Sequence, residues 1–480
     1  MPSTVAKKTA AALSQRMLID GKLCGATKTL EVLDPATEKS FATVPDCSEV
    51  QLNEAVAAAK RAFDSWSRRS VKERQDFVGL MIERVRGNID EVATLLTREQ
   101  GKPLAKAVSE INAALFFCSG YCDMDLSPEI IRNTENQRVE MRYSPIGVVG
   151  AIAAWNYPIL LSLWKLAPAV IAGNTVIIKP SPYTPVATLR VGELIADIFP
   201  AGVVNIVSGG DELGRWMTAH DGIGKISFTG SAATGKHIMR SAAGNLKRVT
   251  LELGGNDAGI VLDDVDPEKI AADLFDAAFS NCGQVCAGLK RLFVPAHMEE
   301  AIAANLAKFA AKVKVGSGFD DGVQMGPIQN VKQFNRVNDL LSDAKSAGAN
   351  IYFQGQVPQG PGYFVPITIV RGARPGTRIV DEEPFGPVLP IISYRSEEEA
   401  VAMANDTTFG LGASVWGKDI DRAEAVAVRL DAGSRWVNQH PAMGPDIPFG
   451  GIKESGIGIE CSVHGLKEFT NVQVLNVKRN

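Results

Sequence analysis

Histidine is scarce in this chain. The five present (His220, His237, His297, His440 and His464) are scattered without H-E-x-x-H spacing, so no metal centre is readable from them. No apolar run approaches the roughly 18 residues that a membrane span requires, which argues against a membrane partner. There is no basic excess either: the formal net charge is -4, which removes the electrostatic footprint of a nucleic-acid binder. Cysteine is sparse and odd in number, seven in 480 residues, which argues against a disulfide framework and for a reducing, cytoplasmic compartment. Met1 to Arg16 lacks acidic residues and an apolar h-region, so it reads as a disordered tail rather than a secretory signal, with a faint likeness to a transit peptide.

What is present is ordinary globular material, 45% hydrophobic and 22% charged, long enough to bury a large core and divide into two or more domains. Leu18 to Lys22 and Leu30 to Val32 read as short strands, the second stopped at Asp34-Pro35. Val50 to Arg68 has helical spacing, as do Lys72 to Gln100 and Leu104 to Tyr121, which Gly101-Lys102-Pro103 separates. Ile131 to Tyr143 alternates like a strand. Strand-like runs (148–153, 175–179, 203–207, 225–229, 258–262) then alternate with helical ones (160–172, 185–198, 212–219, 235–243). That order implies a parallel sheet with helices on both faces and a ligand at the carboxyl ends of its strands. A second α/β unit follows, with helical runs at 267–279, 298–314 and 331–347 and strands at 291–294, 388–393, 413–417 and 434–438. The tail from Phe469 to Val477 alternates again.

Three stretches carry chemistry. Phe279 to Gly288 places Cys286 beside glycines at a helix-to-strand junction, where a thiolate would be an accessible nucleophile. Val249 to Asn256 places Glu252 in an apolar strand that ends at paired glycines, and Ala154 to Pro158 places Asn156 in a turn. A thiol, a carboxylate and an amide supply a nucleophile, a base and an oxyanion clamp. Each has a plainer reading: Cys286 as packing, Glu252 paired with a cation, Asn156 capping the next helix. Cys118 and Cys122 could join Cys282 and Cys286 in a four-thiolate zinc site, but the spacing is not C-x2-C and packing is the better reading. Gly230 to Gly235 opens a helix after a strand, a turn suited to a pyrophosphate.

Together with Glu382 to Pro387 and Pro448 to Gly456, these stretches resemble the aldehyde dehydrogenase superfamily in order and spacing over nearly the whole chain. The resemblance implies an α/β fold: a Rossmann-like cofactor domain (1–122 and 145–253), a catalytic domain (254–465) and a small β oligomerisation arm (123–144 and 466–480) that pairs with a neighbouring subunit in a homodimer or homotetramer. It implies NAD(P)-dependent oxidation of an aldehyde through a thiohemiacetal and thioester on Cys286, with Asn156 and the Cys286 N–H as oxyanion hole and Glu252 activating the hydrolytic water. Glu460 and Lys165 match a proton relay. Trp155, Lys179, Ser181, Gly230, Ser231, Glu383 and Phe385 match cofactor positions. Pro182 stands where the family often has a glutamate that selects NAD, so NAD is favoured and NADP is left open.

By position, Tyr157, Leu160, Trp164, Ser280, Met443 and Phe449 would line the aldehyde tunnel. With no cation among them, they suggest a medium-chain aliphatic or aromatic aldehyde. Cys282 is expected to pack, and a reversible disulfide with Cys286 is the sharper alternative. A coenzyme A-acylating semialdehyde dehydrogenase, a reductive acyl-phosphate enzyme and a catalytically silent binding protein of the same fold are the rival functions. Glu252 speaks against the first two, and the intact Cys286, Asn156 and Glu252 against the third.

Overall fold

The computed structural model describes residues 13–479. Most of the tail expected at Met1 to Arg16 lies outside them. Two large sheets organise the chain. The first has eight strands, in spatial order Gly456–Ile457, Arg248–Glu252, Lys225–Thr229, Val148–Ile152, Thr175–Lys179, Val204–Ile206, Met17–Ile19 and Lys22–Cys24. Its five central strands are parallel, and antiparallel pairs close both edges. The strands Val148–Ile152, Thr175–Lys179 and Lys225–Thr229 are buried at every position, as expected where helices cover both faces of a parallel sheet.

The second sheet runs Asn350–Gln354, Thr368–Arg371, Val388–Tyr394, Leu289–Pro295, Asp257–Val261, Gly412–Trp416 and Ser434–Val437, parallel except for its first strand. Each sheet has its own apolar core. Two three-stranded sheets complete the architecture. One joins Leu13–Ser14, Lys39–Asp46 and Lys28–Asp34; the other joins Thr470–Lys478, Gln137–Pro145 and Glu129–Asn133.

Several expectations are corrected. Leu18 to Lys22 is not one strand. Asp20 and Gly21, at φ 52° and 72°, form a two-residue turn between Met17–Ile19 and Lys22–Cys24. Lys72 to Gln100 is two helices, Val71–Arg86 and Ile89–Gln100, parted at Gly87-Asn88, both poor helix formers. The strand expected at 258–262 belongs to the second sheet, because the chain leaves the first sheet at Gly254-Gly255. Gly456–Ile457 pairs with Arg248–Glu252 in the first sheet, although it lies within residues 254–465. Within the chain, the tail strand also pairs with the arm, Val474 opposite Met141; this leaves the expected pairing with a neighbouring subunit untouched.

Candidate active site

The nucleophile loop leaves the helix Pro267–Phe279 through a tight turn. Asn281, Cys282 and Gly283 take φ of 50°, 60° and 69° in succession, costly for the two non-glycine residues and held by surrounding bonds. Gln284 accepts from Gln329 N–H at 2.9 Å and donates to Asn281 O at 3.0 Å. Gly283 admits only hydrogen, since a Cβ there would sit 2.1 Å from Gly386 O. The loop delivers Cys286, half-buried, to an apolar cluster formed by Phe117, Leu161, Trp164, Trp436, Phe449 and Cys461, with Tyr157, Leu160 and Met443 packed against it.

Tyr157, Leu160, Trp164, Met443 and Phe449 therefore share one apolar cluster with Cys286, whereas Ser280 is exposed at the end of its helix. Phe117 stacks on Trp164 with ring centroids 4.7 Å apart and planes 10° apart; only its helical spacing in an Ala/Leu-rich run could have hinted at that place.

Asn156 is buried and its Nδ2 donates to Gln284 O at 3.1 Å, two residues before Cys286. Its side chain is not a helix cap. The helix Pro158–Ile171 is capped instead by Glu110, whose Oε1 accepts from Ile159 N–H (3.0 Å) and Leu160 N–H (3.3 Å). Lys102 pairs with Glu110 and donates to Asn156 O at 3.0 Å. Neither residue was recognised in the sequence, where Lys102 read only as part of a breaker.

Glu252 ends its strand buried, with no hydrogen-bond partner among the described residues on either oxygen, so it is not the cation-paired carboxylate of the plainer reading. Burial first, and then the charge of Glu460, hold its carboxyl well above the usual range, while Lys165 opposes them. Lys165 pairs with Glu460, which also accepts from Ser227 Oγ at 3.3 Å. Burial pushes the Cys286 thiol up to about 12, and Lys290 pulls it back. Lys290, missed because it lies just before the run read as a strand at 291–294, donates to Val285 O at 2.7 Å and to Cys286 O at 2.6 Å. Its Nζ lies 3.3 Å from Glu383 Oε1.

Glu383 also accepts from Gly255 N–H at 3.2 Å. Gly254 permits this close approach, since a Cβ there would sit 2.4 Å from Glu383 Oε2, while Gly255 makes room for Cys286 O, which would lie 2.6 Å from a Cβ. Phe385 meets Trp155 edge-on, with centroids 5.3 Å apart.

At the carboxyl ends of the first sheet, Lys179 is buried and held down to about 8 by burial, with Asp211 and Asp46 opposing, and it makes no ion pair among the described residues. Ser181 is buried beside it, its hydroxyl accepting from Tyr183 N–H at 3.3 Å. Gly230 follows the strand Lys225–Thr229, and Ser231 caps the helix Ala232–Ala242 by accepting from Thr234 N–H. A buried cation, a helix N-terminus and an approachable glycine form a donor set for the anionic and hydroxyl groups of a dinucleotide.

The aldehyde dehydrogenase family profile matches residues 24–475. A betaine aldehyde dehydrogenase of Bacillus subtilis is 37% identical over 481 residues, covering 98% of each chain. An aldehyde dehydrogenase of Bacillus cereus superposes with a TM-score of 0.95 at 34% identity, covering 98% of this chain and 97% of that one. The betaine aldehyde dehydrogenase of Staphylococcus aureus, solved in complex with NAD+, gives a TM-score of 0.93 at 32% identity over 98% and 96% of the two chains. With the profile spanning the second sheet, most of the first and all three chemical stretches, the chain belongs to the aldehyde dehydrogenase family.

Proposed function

We propose that this protein oxidises an aldehyde to its carboxylic acid with NAD+, with NADP+ a second acceptor, through covalent adducts on Cys286. The observation that carries the reading is the Asn156 amide bonded to Gln284 O in the Cys286 loop, with Cys286 against an apolar cluster and close enough to Glu252 for that carboxyl's charge to act on the thiol. The dinucleotide fits the residues present. Lys179 and Ser181 would hold the adenosine ribose, Gly230 and Ser231 the pyrophosphate, and Glu383 the nicotinamide ribose, with Phe385 and Trp155 beside the ring. When bound, it supplies the hydride acceptor. The absence of a carboxylate at Pro182 leaves room for a 2′-phosphate.

The chain's own groups do the rest. The Cys286 sulfur, once deprotonated, attacks the aldehyde carbon, and the oxyanion of the thiohemiacetal is received by Asn156 Nδ2 and the Cys286 N–H. Oxidation leaves a thioester on the sulfur. Glu252 takes a proton from water, the hydroxide displaces the sulfur, and the acid departs. The Glu460–Lys165 pair, close enough for its charges to act on Glu252, passes the proton outward.

The pocket suits a neutral medium-chain aliphatic or aromatic aldehyde. The apolar cluster beside Cys286 includes Phe117, Tyr157, Leu160, Trp164, Met443 and Phe449. The Tyr157 ring already faces the Lys102 ammonium at 4.0 Å, which disfavours a cationic substrate such as betaine aldehyde.

The division into 1–122 with 145–253, 254–465, and 123–144 with 466–480 is supported by the separate sheets. Exposed Ile130, Ile131, Val472 and Val474 on the arm suit a homodimer or homotetramer. Seven free thiols suit a cytoplasmic setting, and among the described residues no helix is long and apolar enough to cross a membrane. An aldehyde panel assayed with each dinucleotide tests the reading. Turnover of no aldehyde, or dependence on coenzyme A, would overturn it.

A further inference from the structure

The strand Leu289–Pro295 is buried at all seven positions, yet its second residue is a lysine. The Lys290 side chain is 5% exposed. Its ammonium has three N–H donors and four acceptors in reach. Two contacts are short, to Cys286 O (2.6 Å) and Val285 O (2.7 Å), and both hold the nucleophile loop. Two are long, to Gly288 O (3.4 Å) and Glu383 Oε1 (3.3 Å), and they share the remaining proton.

The other ionisable groups that feel this charge are few. Asp257, on the adjacent strand Asp257–Val261, is fully buried. His440 stands with Nε2 3.6 Å from Asp257 Oδ2. The Cys286 thiol and Glu383 complete the set. Lys290 is the cation common to all four.

We propose that Lys290 is a positioning residue that fixes the Cys286 loop by its carbonyls and ties that loop to Glu383, so that whatever engages Glu383 also changes the reactivity of the Cys286 sulfur. The inference rests on the reading of Cys286 as nucleophile and Glu383 as a cofactor ligand. With Glu383 turned toward ribose hydroxyls, the third N–H and the undivided charge fall on the nucleophile loop. The sulfur is then most reactive when the cofactor clamp is engaged.

The test follows alkylation of Cys286 by iodoacetamide, read by mass spectrometry of the peptide that carries it, from neutral to alkaline pH. Lys290→Met should slow alkylation at neutral pH roughly tenfold, the equivalent of one unit of thiol pKa, and displace the profile to higher pH. Glu383→Gln, which removes the competing anion, should speed it several-fold, and that gain should shrink in the double variant to the part that the Glu383 charge exerts on the sulfur directly. An unchanged profile in Lys290→Met, or a Glu383→Gln effect of equal size with and without Lys290, would overturn the proposal. Should Lys290→Met fail to fold, Glu383→Gln decides alone, and an unaltered rate refutes the tie. Retention of dehydrogenase activity by Cys286→Ala would instead strike the functional reading beneath it.

Discussion

The Lys102 ammonium donates to the Asn156 carbonyl oxygen at 3.0 Å while pairing with Glu110, both charged side chains fully enclosed. Glu110 in turn receives two N–H groups of the helix that follows Asn156, so one buried pair sets both the turn and the helix. Removing one partner strands the other charge. Glu110→Ala should cost about 3–5 kcal/mol in denaturant unfolding. Asp64→Ala, which breaks the exposed pair with Arg68, should cost less than about 1 kcal/mol. Equal losses would contradict this account.

Asn156→Ala should leave the fold intact and reduce kcat by about 10²–10³, the loss typical of one oxyanion donor. Its Nδ2 rests on Gln284 O, beside the nucleophile, so only a small rotation separates the resting bond from the catalytic one. Steady-state rates alongside circular dichroism would check it, and a loss confined to KM would argue for simple substrate contact.

Cys286→Ala should abolish turnover. Glu252→Gln should give a burst of NADH and then stall, because the thioester forms but water is not activated. A stopped-flow trace distinguishes the two. Absence of a burst in Glu252→Gln would move Glu252 to the earlier step.

Burial pushes the Cys286 thiol up to about 12 and, with the charge of Glu460, holds the Glu252 carboxyl well above the usual carboxylate range. Their reactive forms accumulate as pH rises, so kcat/KM should climb from neutral into the alkaline range. A profile that falls over that interval would show that the bound complex reverses these shifts.

Phe117 covers one face of Trp164 in the pocket wall. Phe117→Leu should enlarge the tunnel and move the preference toward bulkier aldehydes, changing the ratio of kcat/KM between a long and a short aldehyde by roughly tenfold. An unchanged ratio would place the substrate elsewhere.

Local pattern in the sequence was enough for the alternation of strands and helices, because buried parallel strands are short apolar runs and the helices between them are amphipathic. It also singled out Cys286, Glu252 and Asn156, whose residue types stand out against glycine-rich and apolar surroundings. It failed where a choice depends on distant contact. The strand at Asp257–Val261 joins the second sheet because its partners are Leu289–Pro295 and Gly412–Trp416, far along the chain. Lys102 and Lys290 looked like incidental charges, and their roles exist only because folding brings carbonyls and carboxylates around each ammonium. Glu252 shows both sides: its identity was plain in the strand, but burial without a partner, which raises its proton affinity, is a property of the three-dimensional packing.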